Sequence, residues 1–181
     1  MAIVAGDIKY RFTTTSGSAG DTTAGAAATS LGKYASTTEW TGGTLNDLFD
    51  NVSGAENAAS TVDYRALAVL NNHATLTAFS ITIYLSAEVG GGTSIALAVD
   101  DTAASAKGAS AAQGDQIANE TTAPGAGVGS FSSPTTDGAG ISIGDLAPGQ
   151  VRLIWIRRTA ANTSAVTGDG FTLGLSLDTP A

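Results

Sequence analysis

His73 is the chain's single histidine, and it stands in the run Asn71, Asn72, His73, Ala74 between two apolar stretches. With serine abundant and 16 Asp and Glu residues available, a Ser-His-Asp relay is the first chemistry to weigh. A histidine between two strands, beside two asparagines, instead predicts a turn whose side chains hydrogen-bond the turn backbone. Paired carboxylates are the second possibility, because glycoside hydrolysis needs two positioned acids and no imidazole. Asp100 and Asp101 are adjacent at the end of an alternating segment, where neighbouring side chains point to opposite faces, so the two do not converge. Glu39, Asp47, Asp50 and Glu56 cluster around one short segment, and these four, with Asp100 and Asp101, read as solvated surface carboxylates. Sugar-processing grooves are floored by exposed aromatics, and most of the 11 aromatics here fall in strand interiors.

Metal and phosphate chemistry find little to work with. The chain has no cysteine, hence no disulfide, thiolate nucleophile or thiolate metal ligand. No D-x-[DN]-x-[DN]-G calcium loop occurs, and GDGF at 168–171 reads as a turn feeding a strand. Gly90, Gly91 and Gly92 lack the lysine and following helix of a phosphate cradle and read as a hairpin tip. No cofactor and no catalytic residue is expected. Three residues stand out as candidates for protein contact. Arg157 and Arg158 form a positive spot on an acidic chain, suited either to internal salt bridges or to an acidic partner surface. Trp40 suits either an intersubunit contact or a core position.

The elements that must position these residues are strands. FSITIYLS (79–86) alternates Phe79, Ile81, Ile83 and Leu85 with polar residues, and FTLGLSLD (171–178) alternates Phe171, Leu173, Leu175 and Leu177 in the same way. SIALAVD (94–100) and DIKYRF (7–12) repeat the pattern, the latter near a sheet edge. YRALAVLN (64–71) and VRLIWIRR (151–158) are apolar on both faces, which places them centrally or gives them a second face buried against a neighbouring subunit. Shorter apolar pieces at 116–118, 128–131 and 141–143 can add further strands. One segment breaks the pattern: in TLNDLFDNV, Leu45, Leu48, Phe49 and Val52 recur at helical spacing behind Thr44, predicting a short helix that lids one end of the fold. The expectation is an all-β fold, an antiparallel β-sandwich of jelly-roll or immunoglobulin-like kind, with one short helix. Residues 1–40 are expected to form a strand and an extended N-terminal arm, and residues 41–181 the sandwich.

More than half of the 181 residues are Ala, Gly, Ser or Thr, whereas Leu, Ile, Val and Phe make up only about a fifth. Tracts at 16–30, 88–94 and 102–115 bury too little apolar surface to order alone, so they are expected to be mobile in isolation and either disordered or, if ordered, ordered by a neighbour. A formal charge of −8 repels phosphate backbones and anionic lipid, and no apolar run approaches the length of a membrane span, so neither nucleic acid nor membrane is expected as a partner. The opening MAIVAGDIKY lacks the charged head and apolar length of a secretory signal, which makes a host cytoplasm the expected place of synthesis.

Three stretches, TLNDLFDNVSGAENAASTVDYRALAVLNNHATLTAFSITIYLS (44–86), ISIGDLAPGQVRLIWIRRTA (141–160) and GDGFTLGLSLD (168–178), lie within an interval, 44–178, that spans about three quarters of the chain. Together they resemble structural proteins of tailed-bacteriophage virions, most closely capsid decoration, or cement, proteins. The resemblance implies a non-enzymatic, homotrimeric sandwich on the capsid exterior that binds the major capsid protein lattice and reinforces it. A tail or head-fibre component, acting as a connector or as a receptor- or carbohydrate-binding module, is the alternative it leaves open. On this reading, deletion of the residues before Leu31 leaves the sandwich folded and lowers occupancy on capsids.

Overall fold

The alternating segments do become strands. A computed structural model describes residues 2–16, 22–161 and 163–178. Nine strands form among the described residues: β1 (Ile8–Thr14), β2 (Tyr34–Glu39), β3 (Val62–Asn71), β4 (Ala78–Glu88), β5 (Ser94–Val99), β6 (Ser105–Ala106), β7 (Ile141–Leu146), β8 (Gln150–Thr159) and β9 (Phe171–Asp178). All pairings are antiparallel. The larger sheet runs β2-β1-β3-β8-β5 with β6 beside β8, and the smaller runs β7-β4-β9, the two making a β-sandwich.

Apolar faces of both sheets meet in one core. Leu67 and Val69 of β3, Ile154 and Ile156 of β8 and Leu97 of β5 pack with Ile81, Ile83 and Leu85 of β4 and Ile143 and Leu146 of β7. Each such side chain removed from water contributes about 1.5–3 kcal/mol before ordering costs. The alternation in β4 fails at one place: Phe79 is 38% exposed while Ala78 is fully buried. Ser80 adopts φ 51° there and the register with β7 slips, so a bulge turns Phe79 outward.

The doubly apolar strands β3 and β8 are central, and their second face is covered by the chain itself. Ala66 and Trp155 pack with Ile117, Leu31, Val128 and Phe131, while Ala68, Leu70, Val151 and Leu153 pack with Ala35. The low-complexity tract at 102–115 is ordered by this same sheet. Its Gln113, 1% exposed, accepts from the Ala35 N–H at 2.7 Å and donates to the Ala106 carbonyl at 2.8 Å. Of the tract at 16–30, residues 17–21 lie outside the described residues, and Ser30 is pinned between Thr13 and the Ala66 carbonyl. The chain itself supplies the partners that place the described residues of these two segments.

Residues 1–40 contribute two strands to the larger sheet, and β1 is an interior strand between β2 and β3. The helix expected over the LFD segment does not form. Leu45 is 78% exposed and Asn46 is left-handed at φ 61°, while Leu48 and Phe49 plug the core from an irregular loop. Two turns of helix are marginal alone, and burying two large side chains settles the segment instead. The one α-helix among the described residues is α1 (Gly54–Ala59), started by a capping box in which the Glu56 N–H donates to Ser53 Oγ and the Ser53 N–H to the Glu56 carboxylate. No described helix is long and apolar enough to cross a membrane.

Candidate interaction site

Trp40 and Arg158 come together at one cleft, and Arg157 lies elsewhere. Successive side chains on a strand face opposite ways, so the β8 pair is divided between the two faces of the larger sheet. Arg157 sits on the outer face, its guanidinium 5.2 Å from the Phe131 ring, which in turn meets Tyr64 edge-on at 5.6 Å. Arg158 points inward, 5% exposed. Its Nη2 donates to Asp63 Oδ2 at 2.7 Å and Asp50 Oδ1 at 3.2 Å, its Nη1 donates to the Asp50 carbonyl, and its plane lies 4.8 Å from the Phe49 ring. Asp63 is its register partner on β3, so the ion pair is a cross-strand pair. Arg158's charge is therefore matched inside the subunit.

Trp40 follows directly on β2 and extends the ladder, its N–H donating to the Tyr10 carbonyl at 2.8 Å. Its indole stacks on Phe171 at 6.3 Å and meets Tyr10 edge-on at 6.0 Å. Trp40 Nε1 and the Tyr10 hydroxyl are both buried without a hydrogen-bond partner. Burial, and secondarily the charge of Tyr84, push the Tyr10 hydroxyl well above the ordinary tyrosine range.

These aromatics line a cleft of about 830 Å³ walled by loops at 41–53, 92–93 and 163–170. The loops are stitched together. Asn57 Nδ2 donates to the Thr163 carbonyl at 2.7 Å, Thr163 Oγ1 to the Gly91 carbonyl at 2.9 Å, and the Thr93 N–H to Asp169 Oδ2 at 2.6 Å. A Cβ at Gly92 would meet the Asp169 carboxylate, which would then have to move from the Thr93 N–H. The size is that of a ligand site, and walls of Thr, Asn, Asp and Gly over aromatic rings suit an uncharged, hydroxyl-rich ligand or a peptide loop.

No catalytic relay is assembled from the sequence candidates. His73 Nδ1 accepts from the Thr75 and Leu76 N–H groups at 3.1 and 3.0 Å, so it organises the β3–β4 turn as its setting predicts. A Gly-x-Ser-x-Gly pattern does occur at 140–144, but its Ser142 lies within β7 rather than on a strand-to-helix elbow. Asp100, expected on the surface, is fully buried: its carboxylate accepts from Trp155 Nε1 at 3.0 Å, the Asp115 N–H at 2.8 Å and the Thr102 N–H at 3.0 Å. Asp101 is exposed. Among the described residues no group of three or more His, Asp or Glu is placed to hold a metal ion. Sequence reasoning missed Phe171 and Tyr10 as partners of Trp40. It also missed the Asp63–Arg158 pair, which placing the two doubly apolar strands side by side would have exposed.

No family model, no curated protein and no solved structure matches the chain.

Proposed function

We propose that the chain is a non-enzymatic virion structural protein that decorates the capsid of a tailed bacteriophage and stabilises it by binding the major capsid protein lattice from outside. The resemblance of its three stretches to such proteins motivates the reading, and one observation carries it: the two sheets differ in covering and in charge. All eight Lys and Arg residues fall in the larger sheet's strands or beside them, and that sheet's outer face is plated by the chain's own loops. β4, β7 and β9 hold Glu88, Asp145 and Asp178 and no basic residue, and their outer face presents short side chains such as Ser80, Ser86 and Thr172. Most side chains on this face are short and polar, with Phe79 and Tyr84 the large exceptions, so docking costs little rotamer entropy, and its acidic character suits a basic patch repeated over a lattice. Many weak contacts acting together can then stiffen a shell. The partners on this reading are the major capsid protein and further copies of the chain.

Purified protein added to shells stripped of it is expected to bind to saturation in proportion to the lattice repeat, to raise the temperature at which the shells rupture, and to bind less well as salt rises. Failure to bind at low salt contradicts the reading. The loop-walled cleft with Trp40 and Phe171 favours a second one, a tail or head-fibre module that binds receptor carbohydrate. A glycan panel separates the two, because the second reading requires retention of a glycan that Trp40→Ala abolishes.

A further inference from the structure

Three of the four sheet edges are closed within the chain. Along β2, the Ala35 N–H donates to Gln113 Oε1 and the Thr37 N–H to the Thr23 carbonyl. Along β5, Leu97 exchanges both backbone bonds with Ser132, and the Gly129 N–H donates to the Val99 carbonyl. On β7, Arg152 Nη1 donates to the Ile143 carbonyl at 2.7 Å, and Gly144 at φ 84° breaks the strand beside Asp145.

β9 has none of these devices. It pairs with β4 alone, and among the described residues no backbone hydrogen bond reaches its other edge. Its eight residues hold no Pro or Lys, and its one charge, Asp178, is terminal. The core is also unsealed on this side. Ile81, Ile83 and Leu85 on neighbouring β4 are at most 2% exposed, whereas Leu173, Leu175 and Leu177 on β9 stay half-buried, as do Tyr10 and Phe12 facing the same core. A long, flat, apolar edge of this sort is a template for another strand.

We propose that the strand it takes is β9 of a second copy, joined antiparallel across a two-fold axis so that the two three-stranded sheets become one of six. The sequence of β9 is self-complementary in that arrangement. Pairing centred on Gly174 sets Leu173 against Leu175 and Phe171 against Leu177 on the core side, sets Thr172 against Ser176 and Gly174 against itself on the outer side, and holds the two Asp178 carboxylates at opposite ends. The contact rests on the capsid reading, in which the chain associates with its own copies, and gives that association a two-fold axis in place of the homotrimer that the resemblance implies. It is tested on purified protein alone, so its failure leaves shell binding untouched.

Sedimentation of the full chain over a dilution series is expected to show a dimer. Leu175→Lys, which points a charge inward from the edge, is expected to weaken that dimer about a hundredfold or more with the far-ultraviolet circular dichroism unchanged. A monomer at every concentration, a trimer, or a dimer indifferent to Leu175→Lys overturns the proposal. Should that variant unfold, amide exchange of the unaltered protein decides. The β9 amides turned away from β4 are expected to slow as protein concentration rises, and exchange independent of concentration overturns the pairing.

Discussion

Tyr10 has its hydroxyl buried and unsatisfied beside Trp40, a cost of about 1–3 kcal/mol with no compensating bond. Tyr10→Phe keeps the ring and is expected to raise stability in denaturant by about 1 kcal/mol. Because the hydroxyl must stay protonated in the folded chain, its contribution is intact below the ordinary value of 10.0 and is lost as pH climbs from there. The phenylalanine variant should therefore show a shallower alkaline decline. Asp137 behaves in the opposite sense. Hydrogen bonds from Ser176 and then Thr82 hold its carboxyl below the usual range, so its contribution is present above that range and is lost as pH falls through the depressed value. In carbon-detected NMR it should titrate below an ordinary exposed Asp, and Ser176→Ala should move it upward more than Thr82→Val. Asp100→Ala leaves the Trp155 indole and two backbone N–H groups without their acceptor, which should destabilise the chain by about 3 kcal/mol or more in thermal or urea unfolding.

Six strands are legible in the amino-acid sequence: β1, β4, β5 and β9 through the two-residue period that burial of one face imposes, and β3 and β8 through apolar runs that burial of both faces allows. β2 is not, since YASTTE holds no large aliphatic residue and is a strand only because β1 offers it a ladder. The segment at 44–52 misleads for a complementary reason: Leu48 and Phe49 sit at spacing compatible with a helix, yet each is fixed by the core it enters. The true helix is announced by Ser53 and Glu56, a capping signal with no apolar face behind it. Placement of β1 also changes what truncation should do. Deleting residues 1–30 removes Ile8, Tyr10 and Phe12 from the core and strips both β2 and β3 of a neighbour. The expected result is loss of the cooperative unfolding transition, rather than a folded sandwich that merely binds capsids less well; a sharp transition in the truncated protein would contradict this role for β1.

Across the molecule, the feature hardest to foresee is that the chain plates its own larger sheet. Small-residue tracts at 22–33 and 102–133 carry few large apolar groups, and their order comes from single anchors such as Gln113, Ser30 and Ile117 set against strands far away in sequence. Charge segregation, by contrast, is open to inspection once strands are assigned, because every Lys and Arg falls on or beside one sheet. The candidate cleft is half legible: Trp40 stands out in the sequence, but Phe171 and the loop at 163–170 approach it only through the pairing of β9 with β4. Arg157 and Arg158 form one patch on paper, and strand geometry divides them. On the capsid reading, the acidic smaller sheet and the open edge of β9 are the surfaces left for partners. Electron cryomicroscopy of virions carrying this chain, with its copy number counted by quantitative mass spectrometry, is the decisive measurement. Density repeating over the whole shell, in copies proportional to the major capsid protein, is the predicted result, and density confined to the tail or a single vertex would contradict it.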